Sequence, residues 1–294
     1  MPDTPLPLRV RVRRGTVIEA EHTVHAIVVD RSGRHVLRLG DPARVTFLRS
    51  SAKPFQALPL VRAFPDLAAE LVAIACASHL ARKDQVAAVR RLLELAAATE
   101  DDLECGPEPR RIAHNCSGKH AGMLAVCASR GWERQGYRLP SHPLQRQIVE
   151  EIGFVSGRAH GAIVTGVDGC GVPTFALTLE EAAGMFGRLA DLDGGPRVIA
   201  AMQAHPELLR GPVGADAMLA RDLPGWAAKG GAEGLLCARS PDGLGLALKV
   251  EDGATRAVRP ALAVVLRQLG HDPGSLGDVA VESSRGDVVG ALEA

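Results

Sequence analysis

The chain has 294 residues, 46 % hydrophobic and 23 % charged, with 34 Lys and Arg against 34 Asp and Glu. Such a length and composition suit one large or two small domains of a globular protein. The balanced charge leaves no basic footprint for nucleic acid or an anionic membrane, and 3 % aromatic residues are too few for base stacking.

Residues 1–14 alternate Pro, Arg and Val without an apolar run before a cleavage site, and no later stretch is apolar enough to span a bilayer. The expectation is a cytoplasmic chain without membrane or nucleic-acid partners. Residues 25–29 and 35–39 flank Asp30-Arg-Ser-Gly33 and read as a hairpin. An apolar segment, 45–48, then leads into Arg49-Ser-Ser-Ala-Lys-Pro-Phe-Gln56. Phe55, Leu58, Leu60 and Val61 predict a helix there, with Pro54 in its first turn, where a missing N–H costs nothing. Residues 71–79 form a small-residue apolar run that ends at Ser78 and His79. Val86, Val89, Leu92, Leu93 and Ala96 share one face of a helix over 84–98.

Residues 114–120 lead into a small-residue helix over 121–126, and the Gly-dense stretch 165–173 reads as a loop. Thr178 and Glu181 make a capping box ahead of Ala182, Met185, Phe186 and Leu189. Residues 234–239 and 244–250 flank Pro241-Asp-Gly243 as a second hairpin, and 259–269 is helical in pattern. Strands at both ends around a helical middle predict an α+β fold, an antiparallel sheet packed on helices. The sheet comes from about 8–50 and 230–294, and the helical lobe from about 51–229, in a single domain over 1–294.

Four clusters carry candidate chemistry. Ser50 and Lys53 are three apart and share a helix face. A serine becomes a nucleophile when a base takes its proton, and a lysine is that base only where burial or a neighbouring cation lowers its pKa. The same spacing also fits an N-cap serine beside a solvated lysine. Ser78 either emerges at a cleft edge or caps a turn. Cys116 and Lys119 are three apart, and Cys170 sits in the Gly-dense loop. Soft thiolates suit zinc, although a lysine ligand has to be neutral, as a metal can hold it. The six cysteines, at 76, 105, 116, 127, 170 and 237, are too widely spaced for a disulfide framework. Lys229-Gly230, ahead of the second hairpin, is similar to the Lys-Thr-Gly element of penicillin-recognising enzymes or is a turn with an exposed lysine.

Seven segments, taken together, resemble the asparaginase II family of rhizobial-type (class 3) L-asparaginases. They are Arg49-Ser-Ser-Ala-Lys-Pro54, Cys76-Ala-Ser-His79, Asn115-Cys-Ser-Gly-Lys-His120, His142-Pro143, Asp168-Gly-Cys170, His205-Pro-Glu207 and Lys229-Gly-Gly-Ala-Glu233. The resemblance spans roughly residues 10–260 and implies a fold similar to serine β-lactamases and glutaminases. It implies Ser50 as nucleophile with Lys53 as base, and Ser78 with Lys229 as a second Ser–Lys pair. It also implies zinc on Cys116, Lys119 and Cys170, with Arg49, Asn115, His120 and Asp168 orienting substrate or zinc. Arg49 and Asp168 are chemically suited to the α-carboxylate and α-amino groups of an amino acid. The expected activity is hydrolysis of L-asparagine to L-aspartate and ammonia through an acyl-enzyme, in a homodimer.

Three alternatives stand beside it: a glutaminase, a β-lactam-interacting serine hydrolase, and a non-catalytic zinc- or amino-acid-binding regulator. Glutamine differs from asparagine by one methylene, and the chain has no Ser-Asp-Asn element in the expected region. Departures from the family pattern are a short stretch between Pro109 and Arg111, Gly211-Pro-Val-Gly-Ala-Asp216, and weak matching after Val250.

Overall fold

The computed structural model describes residues 5–106, 110–159, 161–277 and 279–294, so Pro109, at the shortened stretch, lies outside the described residues. Four strands open the chain: β1 (Leu8–Arg14), β2 (Val17–Val29), β3 (His35–Leu39) and β4 (Val45–Phe47). Helices α1 (Lys53–Gln56), α2 (Leu58–Ala63), α3 (Ala69–Ala75), α4 (Lys83–Leu95), α5 (Ser117–Arg130) and α6 (Pro143–Ser156) follow. Strands β5 (Val164–Val167) and β6 (Pro173–Thr178) then precede α7 (Leu179–Gly187), α8 (Gly195–Ala204), α9 (Pro206–Leu209) and α10 (Ala215–Asp222). The chain closes with β7 (Ala227–Gly230), β8 (Leu235–Arg239), β9 (Gly245–Val250), α11 (Val258–Gln268), β10 (Val279–Glu282) and β11 (Val288–Glu293).

Both ends of the chain build one antiparallel sheet in the order β10-β11-β1-β2-β9-β8-β7, with β3 also paired to β2. The join between the two ends is the β2–β9 ladder, from Val24 opposite Val250 to Val29 opposite Gly245. Side chains alternate across a strand, and here both faces are covered. Ile27, Val29, Leu235, Cys237 and Ala247 face the helical lobe. Ala26, Val28, Leu236, Leu246 and Leu248 face α11 with Leu262, Val265 and Leu266. That two-sided burial explains the nearly continuous apolar runs in β2, β8 and β9. Both expected hairpins form, as β2–β3 and β8–β9.

The capping box forms as read: Thr178 Oγ1 accepts from the Glu181 N–H at 3.1 Å, and the Thr178 N–H donates to Glu181 Oε2 at 2.8 Å. It starts α7, which lies against β9 so closely that a Cβ on Gly245 would sit 1.9 Å from the Ala183 carbonyl oxygen. The Gly-dense stretch departs from the expected loop. Thr165 pairs with Phe175 and Val167 with Pro173, so most of it is a hairpin within a second sheet, β4-β6-β5. Only 168–172 turns, closed by the Asp168 N–H donating to the Val172 carbonyl at 2.9 Å. Gly166, Gly169 and Gly171 break the alternating apolar pattern that would mark these strands, although β5 pairs with the adjacent β6. Among the described residues no helix is long and apolar enough to cross a membrane.

Replacing Gly245 by alanine forces α7 away from β9. Gly245→Ala is expected to cost about 1–3 kcal/mol, the usual range for overpacking, read as a lowered midpoint in thermal unfolding.

Candidate active site

The small sheet, the start of the helical lobe and the β7 edge of the main sheet meet at the predicted residues. As β4 ends, Arg49 adopts φ +49°, a left-handed conformation that is strained for a residue with a Cβ. Two contacts hold it: its N–H donates to Thr174 Oγ1 at 3.0 Å, and its Nε donates to Asp168 Oδ1 at 2.5 Å. The strained residue turns the chain into a 3₁₀ segment, Arg49–Ala52, that continues into α1. Ser50 is half-buried, and its hydroxyl has no hydrogen-bond partner among the described residues. Ser51 points the other way, into the core, and donates to the Lys229 carbonyl at 2.9 Å.

Lys53 is fully buried. Its Nζ donates to the Ala77 carbonyl and, at 3.0 Å, to Ser78 Oγ. The direct hydrogen bond in this geometry therefore joins Lys53 to Ser78. Ser78 is buried rather than lying at an open cleft edge, and its N–H donates to the Leu209 carbonyl at 2.6 Å.

Lys229 lies within β7 and is fully buried, not the exposed lysine of a turn. Its Nζ donates to the Gly230 carbonyl at 2.8 Å and lies 3.4 Å from Asp216 Oδ2; no hydrogen bond to Ser78 is found among the described residues. Burial is the largest influence on its pKa, which falls to about 8; Asp216 opposes the fall and Lys53 adds to it. In the sequence, Asp216 stands only as the end of the divergent stretch 211–216. Its one local signal was an acidic residue in the first turn of a helix after a glycine-rich segment.

Cys116 and Cys170 approach across the α5 start and the β5–β6 turn. The interaction of the two thiols favours a thiolate on Cys116 and pushes the Cys170 thiol up. Lys119 Nζ donates to Cys170 Sγ at 3.0 Å. Burial pulls the Lys119 pKa down, but the charges of Cys170 and Cys116 outweigh it and leave it at about 12. Among the described residues no three His, Cys, Asp or Glu side chains gather to hold a metal. What gathers is two sulfurs and one amine nitrogen, a donor set that fits a soft dication once the amine loses its proton.

The remaining predicted residues divide. Arg49 and Asp168 are bonded to each other, and Asn115 is exposed beside Cys116. His120 is fully buried in the core, with Nδ1 2.6 Å from the Tyr137 hydroxyl, and burial lowers its pKa. Its Nε2 has no partner among the described residues. Tyr137 and Thr174 were missed because neither stands in a motif; each acts through a contact made by folding.

The model of the family "L-asparaginase II" matches residues 10–294, so the chain belongs to that family and is an amidohydrolase. The match extends through the C-terminal strands, beyond the roughly 10–260 over which the motifs carry the resemblance. No curated protein matches the sequence. Among solved structures, Mglu in its native form aligns over 89 % of this chain and 68 % of its own, with 15 % identity and a TM-score of 0.50. The probable glutaminase YbaS aligns over 85 % and 86 %, with 17 % identity and a TM-score of 0.42. A β-lactamase from Sphaerobacter thermophilus aligns over 86 % and 92 %, with 16 % identity and a TM-score of 0.41. At these identities the Mglu likeness bears on the fold alone.

Lys229 links stability to pH. Its folded pKa of about 8 lies below the ordinary 10.5, so between those values the unfolded chain binds more protons and stability rises with pH. The stability difference between wild type and Lys229→Met should therefore move in favour of the wild type from pH 8 to pH 10.5 in thermal unfolding. A constant difference would contradict the depressed pKa.

Proposed function

We propose that this amidohydrolase is an L-asparaginase that converts L-asparagine to L-aspartate and ammonia by double displacement, with Ser50 as the nucleophile. The observation that carries the reading is the unengaged Ser50 hydroxyl at a strained turn, one helical step from the buried amine of Lys53. Lys53 takes the serine proton, and its contact with Ser78 Oγ gives that proton a place to move. Ser50 attacks the side-chain amide carbon; Ser78, bonded to Lys53 here, is assigned with Lys229 as the second Ser–Lys pair, which returns a proton to the departing ammonia. Water then releases aspartate from the acyl-enzyme. Backbone N–H groups at the helix start stabilise the oxyanion, each worth roughly 3 kcal/mol.

The Arg49–Asp168 ion pair supports recognition of an amino acid. Its two charges sit side by side and match an α-carboxylate and an α-ammonium group. Asn115, exposed beside Cys116, completes the shell that orients substrate, and His120, buried one residue after Lys119, orients the metal ligands from the core side. Cys116, Lys119 and Cys170 would hold zinc, which when bound supplies a fixed positive charge beside the substrate site. In this reading the protein works as a cytoplasmic homodimer.

Two measurements test the reading. Ammonia release from asparagine should fall by about 10³-fold or more in Ser50→Ala, as expected for loss of a nucleophile. Retention of wild-type turnover would remove Ser50 from that role. Glutamine and a chromogenic β-lactam assayed alongside set the amide preference, and preferred turnover of either would replace asparagine as the substrate. Metal content measured after purification should drop in Cys116→Ser/Cys170→Ser, whereas stoichiometric zinc in that variant would refute the ligand set.

A further inference from the structure

The divergent stretch Gly211-Pro-Val-Gly-Ala-Asp216 ends in a carboxylate that the mechanism has not yet used. Asp216 lies in the first turn of α10 and is 2 % exposed. Its Oδ2 lies 3.4 Å from Lys229 Nζ and accepts from the Gly230 N–H at 3.4 Å. Its Oδ1 accepts from the Ala217 N–H at 3.1 Å. A Cβ on Gly214 would stand 2.7 Å from that same Oδ1, so the glycine clears the space in which the carboxylate sits. We propose that Asp216 is a positioning residue for the reaction, fixing the Lys229 amine against β7 and holding its proton.

The charges around Lys229 make the assignment specific. Lys53 faces it from α1, Arg210 from the segment ahead of α10, and the Cys76 thiol from the end of α3. Asp216 is the one carboxylate among these neighbours. Burial, Lys53 and Arg210 all drive the proton off Lys229, and the Asp216 charge opposes them. An amide in its place keeps the shape and removes that opposition. Lys229 then loses its proton at lower pH and no longer has it to give to the leaving group. The carboxylate is also held by two backbone N–H groups, which fix where it stands and hence where it holds the amine.

The catalytic half of this inference rests on the reading of Lys229 as part of the second Ser–Lys pair, so the test separates the two. In the full-length protein carrying ¹³C-lysine, the Lys229 resonance is assigned by its absence in Lys229→Met and titrated in wild type, Asp216→Asn and Asp216→Glu. Proton affinity should fall at least tenfold in Asp216→Asn and recover in Asp216→Glu. A packing role predicts the reverse, since the isosteric amide fits and the longer acid does not. Ammonia release followed in parallel should lose kcat about tenfold or more at neutral pH in Asp216→Asn, with KM within threefold, and regain it in Asp216→Glu. An unmoved titration in Asp216→Asn overturns the inference even if the enzyme is active. If Asp216→Asn does not fold, Asp216→Glu decides alone: wild-type titration and turnover support the charge, and loss of both overturns it. A wild type that releases no ammonia from any amide refutes the amidase reading instead, and the titration still decides whether Asp216 holds the proton.

Discussion

Two lysines, Lys53 and Lys229, are fully buried close enough to repel each other, and much of the surrounding architecture answers that constraint. Taking one such ion out of water costs several kcal/mol unless partners replace the lost solvation. Lys53 is met by the Ala77 carbonyl and Ser78 Oγ, supplied by the turn after α3. Lys229 is met by the Gly230 carbonyl and Asp216, supplied by β7 and α10. Delivering these acceptors requires backbone to approach backbone. A Cβ on Gly231 would lie 2.9 Å from the Leu48 carbonyl and 3.0 Å from Ser51 Oγ. The main sheet, closed by β2 and β9, brings the two ends of the chain to one place, so that Ser51 can bond the Lys229 carbonyl 178 residues away.

A second cost is local. The left-handed Arg49 is strained, by about 1–3 kcal/mol for a non-glycine residue, and its contacts with Thr174 and Asp168 hold it there. The same contacts tie the Arg49–Ser50 turn to the β5–β6 hairpin, which also carries Cys170. Cys170 and the serine turn therefore rest on one small sheet, while Cys116 approaches from the start of α5. Cys170 Sγ lies 3.9 Å from Asp168 Oδ2, and Asp168 in turn bonds Arg49, the neighbour of Ser50.

Local chemistry made much of the fold readable. The β2–β3 and β8–β9 turns, the Thr178–Glu181 cap and the apolar stripe of α4 each form from residues near in sequence, and each appears where its pattern lies. The β5–β6 hairpin is hidden although its pairing is local, because Gly166, Gly169 and Gly171 carry the pattern of a loop. At the site, the motif spacing placed Ser50, Lys53, Cys116 and Lys119 on short local segments. It did not give which lysine meets which serine, because the Lys53–Ser78 contact and the Lys229–Asp216 pair are products of tertiary packing. Asp216, Thr174 and Tyr137 were invisible for the same reason. His120 shows the converse: it belongs to a motif, yet its ring is packed against Tyr137 in the core.

The account centres on a covalent intermediate at Ser50. Rapid-quench mass spectrometry of the wild type during turnover of asparagine, followed by peptide mapping, tests it most directly. The account predicts an aspartyl ester on the peptide and side chain of Ser50. An adduct on Ser78, or turnover with no adduct at any quench time or pH, would contradict it.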